Sequence, residues 1–215
     1  MSNSFSLKSL AQQVAERIET EILEGRFQPG QRLLESTLCE EWNISRSPIR
    51  EAMRILTGEG LLVFRPRKGT FVSPLSRTEL EDLYTIRANL ESLAFSLSIR
   101  KNGPQILAEM RHVQDCLKYA MENGKIHDFN KLNIRFHNIY IEACENPRLI
   151  SMLYSLEKHI QRYRNKTLLK RGFAEVLKNH ENIIQLVANG DPEVAEEARK
   201  QRILSNITLI LQDFN

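Results

Sequence analysis

No stretch of this 215-residue chain approaches the roughly 18–20 consecutive apolar residues that a membrane-spanning helix needs, so no membrane partner is expected. The opening residues, "MSNSFSLKSL", lack the basic start and apolar core of a secretion signal. Cysteine is scarce and odd in number. Cys39, Cys116 and Cys144 form neither a disulfide framework nor a CxxC zinc site, and read as reduced packing thiols of a cytoplasmic protein. Nothing looks like a phosphate loop, a nucleophile elbow or an HExxH helix, and no nucleophile can be matched to a base, so catalysis is not expected. Repeats and low-complexity segments are also missing.

An excess of one charge is nearly absent overall. Thirty Lys and Arg oppose 27 Asp and Glu, a net of +3, too small by itself to indicate nucleic acid. The distribution says more. Arg46, Arg50, Arg54, Arg65, Arg67 and Lys68 stand against only Glu51 and Glu59, so residues 46–68 carry +4 and the remainder is close to neutral. A basic surface on a neutral body suits a polyanion.

Local patterns give that charge a frame. "SLAQQVAERIETEILEG" spaces Leu10, Val14, Ile18 and Ile22 by four residues and ends at Gly25, which predicts a helix. "FQPGQRL" predicts a tight turn, and "ESTLCEEW" a short helix broken at Asn43. The next helix begins near "SRSPIREAMRIL", with Ser47 as its cap and Pro48 at its first position. Ile49, Ala52, Met53 and Leu56 share its inner face; Arg46, Ser47, Arg50 and Arg54 lie outside. "LLVFRPRKGTFV" then reads as a hairpin with a basic tip. Two short helices, a turn and a hairpin describe a winged helix-turn-helix, whose second helix enters a DNA major groove while the wing reaches phosphates or the minor groove. Arg46 and Arg50 are placed to meet bases or phosphates, and Arg54 a phosphate or a salt-bridge partner. Arg67, Lys68, Gly69 and Thr70 form the wing contact.

From Ser76 onward every pattern is helical. "SRTE" has capping-box spacing and opens a helix through Arg100 with Leu80, Leu83, Leu90, Ala94 and Leu97 on one stripe. Further helices are expected near 104–122, 128–145, 147–167, 172–189 and 192–213, with Pro104, Pro147 and Pro192 at their starts. The expected fold is therefore mainly α: a winged helix-turn-helix with a small β wing over 1–75, and an antiparallel helical bundle over 76–215.

The stretch from "FQPGQRLLES" to "RPRKGTFV" resembles the DNA-binding domain of GntR-type bacterial transcription regulators. It carries PG-x-x-L, S-R-x-P-x-R-E-A, L-x-x-x-G-L and K-G-T-F-V. The remainder, through "YTIRANLESLA", "FHNIYIEACENPRL" and "NHENIIQLVANGDPEVAEEA", is similar to the FCD ligand-binding domain of the FadR-like subgroup. The resemblance implies a homodimer on a short palindromic operator, governed by a small metabolite. It implies DNA contacts at Arg46, Arg50, Lys68, Gly69 and Thr70. Some relatives have an arginine where this chain has Ser36, whose hydroxyl can still bond a phosphate.

Many FCD domains hold a metal with an Asp, a His four residues later and two further histidines. The matching positions are Asn133, His137, His180 and Arg202. An amide is a weak ligand and a guanidinium no ligand at all, so a divalent metal is disfavoured and no cofactor is expected; if one binds, His137 and His180 remain to hold it. With Arg87 as a further lining candidate, these residues are expected to form an effector pocket for an organic acid or other anionic metabolite. Arg202 would grip its carboxylate with two hydrogen bonds. The alternatives are that His137 and His180 are satisfied core histidines with Arg202 paired to Glu91 or another carboxylate, or that the bundle only dimerises the protein. Tyr154, Arg162, Tyr163 and Arg164 could line a cavity or a dimer seam.

Overall fold

The computed structural model describes residues 8–211, without the side chains of 162–171 and 209–210. The chain divides into two compact units, Met1–Leu75 and Ser76–Asn215.

In the first unit, helix α1 (Leu10–Leu23) is started by Ser9, whose Oγ accepts the Gln12 N–H at 3.2 Å while Gln12 Oε1 accepts the Ser9 N–H at 2.9 Å. Val14, Ile18 and Ile22 are buried as their spacing predicts. Leu10 is not: it is 52% exposed, because the side chain of a first helical residue projects back past the helix end. After the Pro29-Gly30 turn comes β1 (Arg32–Leu33), too short to leave a periodic signal, followed by α2 (Glu35–Trp42) and α3 (Arg46–Gly58). The hairpin is β2 (Leu62–Arg65) and β3 (Gly69–Val72). β3 lies between β1 and β2 in an antiparallel sheet, pairing Leu33 with Thr70 and Phe64 with Thr70. One core joins the unit: Ile18 of α1, Leu38 of α2, Ile49 and Leu56 of α3, and Leu62 and Val72 of the hairpin.

The second unit comprises α4 (Arg77–Glu122), α5 (Ile126–Ala143), α6 (Pro147–Arg171), α7 (Phe173–Asn189) and α8 (Pro192–Leu211). Ser76 caps α4 by accepting the Glu79 N–H at 3.0 Å. The break expected after Arg100 falls at Asn102 (φ −139°, ψ 26°), two residues before Pro104, so the two predicted helices form one kinked helix. Pro147 and Pro192 are first residues of their helices. The core is aromatic, with Phe95, Phe129, Phe136 and Tyr140 fully buried.

The expected inward stripe of α4 requires correction. Leu80 and Ala94 are buried, but Leu83, Leu90 and Leu97 are only half-buried. The buried line runs instead through Tyr84, Arg87, Glu91, Phe95 and Ser98. Polar residues occupy inward positions there, and a reading guided by leucines rotates the helix away from them. Among the described residues no helix is long and apolar enough to cross a membrane.

Candidate DNA-binding surface and effector site

Asn43, in the left-handed region at φ 53°, ends α2 with its N–H on Cys39 O and turns the chain into α3. The cap of α3 is Ser45, in extended geometry, not Ser47; Ser47 is the second helical residue and Pro48 the third. Neither needs an intrahelical N–H bond there, so the sequence tolerates the shift. Burial of Ile49, Ala52, Met53 and Leu56 fixes the rotation of α3. Arg46, Ser47, Arg50 and Arg54 are consequently exposed, the three arginines at four-residue steps forming one row. Ser36, the second residue of α2, is exposed too.

Arg50 is not a loose member of that row. Its Nη2 lies 3.0 Å from Glu35 Oε2 and its Nε 3.2 Å from Glu35 Oε1, so a carboxylate at the start of α2 orients it. The hydrogen bond to Glu35, then the charge of Glu35, raises the Arg50 pKa. At the wing, Arg67 adopts φ 63° and the Lys68 N–H bonds Arg65 O at 3.0 Å to close the turn. Arg67 and Lys68 are exposed, and Gly69 and Thr70 half-buried. Gly69 has φ 99°, and a Cβ there would stand 3.2 Å from Arg32 Nε. The backbone there strains any other residue, and a side chain would also push the Arg32 guanidinium aside by a few tenths of an ångström. Arg32 thus joins the basic wing from β1. The sequence pattern missed it, although its place just after the Pro-Gly turn was visible.

In the second unit, α5 buries Asn133, Phe136 and Tyr140 and half-buries His137. A buried network is centred on Glu91, which is 1% exposed. Arg87 Nε donates to Glu91 Oε2 at 2.6 Å and Arg199 Nε to Oε1 at 3.1 Å; the Tyr140 hydroxyl also donates to Oε1. Arg199 Nη2 reaches Tyr140 Oη at 2.9 Å and lies 3.4 Å from His137 Nδ1. Burial pushes the Glu91 carboxyl up, but the charges of Arg87, Arg199 and His137 and the bond from Tyr140 hold it well below the usual carboxylate range. Burial raises the Tyr140 hydroxyl, which therefore stays protonated and donates.

Of the expected pocket residues, Arg87 and His137 belong to this network. His180, 1% exposed, stacks on Phe136 at 3.8 Å between ring centroids and lies 5.2 Å from the His137 ring. Asn133 is buried one turn before His137. Arg202 does not join them. Its side chain is 38% exposed and bonds Asn179 and, at 3.4 Å, Glu175, both on α7. The reason is helical phase: Ala195, Arg199 and Ile203 form the buried line of α8, and Arg202 lies beside it. That spacing was present in the sequence and points to Arg199. Arg202 and Arg199 instead share the wall of a cavity of about 320 Å³ between α7 and α8, with Asn179, Asn182, Gln185 and Asn189.

The donors available to a metal are two imidazoles and an amide, and the guanidinium of Arg199 stands beside one imidazole. This set does not suit a divalent cation. Among the described residues no group of three or more His, Cys, Asp or Glu is placed to hold one. Tyr154, 39% exposed, donates to Glu142 at 2.9 Å. The side chains of Arg162, Tyr163 and Arg164 lie outside the described residues.

Comparison with known proteins places the chain in a family. The model described as bacterial regulatory proteins, gntR family, matches residues 10–72, and the FCD domain model matches residues 82–204. The HTH-type transcriptional regulator YdhC of Bacillus subtilis (strain 168) is 31% identical over 188 residues, 86% of this chain and 82% of that protein. The HTH-type transcriptional repressor GlaR of Escherichia coli (strain K12) is 28% identical over 207 residues, 91% of this chain and 93% of that one. The solved structure of E. coli McbR/YncC shares the fold, with a TM-score of 0.77 at 24% identity, over 97% of this chain and 100% of its own. The chain belongs to the GntR family of bacterial transcriptional regulators, non-enzymatic proteins that bind DNA, and carries a C-terminal FCD domain.

Proposed function

We propose that this regulator is a cytoplasmic repressor that binds a short palindromic operator as a homodimer and is controlled, without a metal, by a small organic acid or other anionic metabolite in its FCD domain. The carrying observation is the cavity between α7 and α8. Arg199, Arg202 and four side-chain amides line it beside Ile183, Leu186 and Ala198, and the fixed positive charge of the two arginines favours an anion and opposes a cation. On the DNA side, support comes from the exposed row of Arg46, Arg50 and Arg54 with Ser47 and Ser36, and from Arg67, Lys68, Gly69 and Thr70 at the wing. A relative named as a repressor, GlaR, supports the sign of control. Control requires the effector to bind the DNA-competent and DNA-incompetent arrangements with different affinity.

A second reading, a DNA-binding dimer with no effector, has one observation in its favour. Glu91 already gives Arg87 and Arg199 the carboxylate that an acid ligand would bring. Thermal unfolding of the full chain separates the two readings. A panel of small carboxylic acids, sugar acids and divalent metals is tested with and without chelator. One acid should raise the melting temperature, by about 2.7 kcal/mol of stabilisation at a hundredfold excess over Kd. The rise should survive chelator and disappear in Arg202→Ala. A rise with a divalent metal alone would remove the metal-free reading, and no rise with any compound would favour the second.

A further inference from the structure

The three-stranded sheet of the first unit has two faces, and the core accounts for one of them. Leu33, Leu62 and Val72 point into that core and are buried. Directly opposed residues of an antiparallel pair share a face, and successive residues alternate. The pairs Arg32–Phe71, Val63–Phe71 and Arg65–Gly69 therefore lie together on the outer face. β3 runs down its middle, with Arg32 on one side and Arg65 on the other. Both side chains lean over it. Arg32 reaches toward Gly69, its Nε and Nη2 standing 3.2 and 3.4 Å from where a Cβ would be. Arg65 leans the opposite way, its guanidinium carbon 5.0 Å from the centre of the Phe71 ring. Gly69 and Phe71 are two residues apart, so the places covered by the two guanidinium groups are about 7 Å apart along the strand. Gly69, without a side chain, leaves an open notch between them. Both arginines are exposed, and among the described residues neither pairs with a carboxylate.

We propose that Arg32 and Arg65 hold one phosphate of the DNA backbone between them, over Gly69, as a clamp separate from the contact of Arg67 and Lys68 at the tip. The inference rests on DNA binding by this unit and adds a site to it. A phosphodiester carries one negative charge and two free oxygens, so each guanidinium can donate to its own oxygen at about 2.7–2.9 Å. Two fixed positive charges unanswered by a carboxylate favour such an anion. The Phe71 ring face attracts the Arg65 cation and keeps it over β3. The notch is open to solvent and offers few donors, which suits a small free anion poorly. A duplex engages Arg67 and Lys68 at the same time, so its next phosphate arrives at high local concentration. Such a contact carries no base information: Arg32 and Arg65 fix where the wing lies and do not read sequence.

Anisotropy titrations of the full chain test the clamp, with a duplex selected from random sequence and a scrambled one, each at several salt concentrations. Arg32→Gln and Arg65→Gln should each weaken both duplexes by the same factor, about tenfold. The double variant should lower the slope of log affinity against log salt by about 0.9, the share of one phosphate. The melting temperature should not move, because both side chains are exposed. Replacing chloride by inorganic phosphate at constant ionic strength should leave the wild-type affinity unchanged. Unchanged affinity and slope in the double variant overturn the clamp. A slope lower by about 1.8 means two separate phosphates and overturns the shared site. A loss confined to the selected duplex makes the pair a reader of bases or a support for α3, and overturns it as well. A loss of affinity in phosphate that the double variant escapes assigns the notch to the free anion instead. A wild-type chain that binds neither duplex overturns DNA binding itself.

Discussion

The two units use arginine in opposite ways. In the winged-helix unit Arg46, Arg50, Arg54 and Arg67 are exposed, and Arg50 is oriented by the part-exposed Glu35. In the bundle, Arg87 and Arg199 are 6% and 5% exposed and meet on the carboxylate of Glu91, with the part-exposed Glu157 a further 3.8 Å from Arg87. A guanidinium in water keeps its charge for an incoming polyanion, while a buried one must be answered inside the protein. The difference lies in the neighbours on the same helix face, apolar around Arg199 and polar around Arg50, and not in the residue type.

Removing Glu91 breaks the comparison at its strongest point. Glu91→Ala leaves the buried Arg199 beside only the Tyr140 hydroxyl and the His137 ring, and Arg87 with only Glu157, 3.8 Å away. The expected loss is about 3–5 kcal/mol in the bundle, read by urea unfolding. The transition of the winged-helix unit should stay in place. An unshifted bundle transition would mean that water reaches the arginines and that the network holds nothing together.

Acid offers a milder version of the same cut. The folded pKa of Glu91 is depressed, so its stabilisation is fully present above the unfolded value of about 4.3 and is lost as pH falls from there through the folded value. The bundle's melting temperature should therefore drop on acidification below about pH 4. Glu91→Gln should start lower and lose part of this dependence. Equal pH profiles would place the acid sensitivity in other carboxylates.

Much of the first unit was legible because its signals are local. The four-residue spacing of α1, the apolar face of α3 and the hairpin around "RPRKG" depend on neighbours a few residues away. β1 was not legible, since a two-residue strand exists only through its pairing with β3. The cap of α3 was misplaced by two residues because Ser45 and Ser47 offer the same chemistry. In the bundle, Asn133 and His137 on one inward turn followed from helical geometry, but the network around Glu91 did not. It joins α4, α5 and α8 across 108 residues of sequence, between Glu91 and Arg199. Arg202 stands at the position that the family resemblance points to, whereas the phase of α8, where buried Ala195 and Ile203 bracket Arg199, turns Arg199 inward.

On the exposed side the expected effects are smaller and fall on binding. Arg50→Ala should weaken binding to a duplex selected from random sequence by about 1–3 kcal/mol. It should spare the bundle's unfolding transition. An unchanged isotherm removes Arg50 from the reading set and leaves Arg46 as the arginine nearest the start of α3.

Glu35→Ala sharpens the contrast with the smallest perturbation. The pair is exposed, so its loss should leave the unfolding transition of the winged-helix unit nearly unmoved, unlike the loss of Glu91 in the bundle. Its effect on DNA has two parts of opposite direction. Deleting an acid beside the basic row raises attraction to any phosphate backbone, so a scrambled duplex should bind more tightly and with a steeper salt dependence. Deleting the group that orients Arg50 removes a preset geometry, so the selected duplex should gain less than the scrambled one, or lose. The ratio of the two affinities should fall. Anisotropy titrations of both duplexes at several salt concentrations measure it directly. A constant ratio with both affinities raised would mean that Glu35 acts as a charge alone and that Arg50 finds its position only on the DNA.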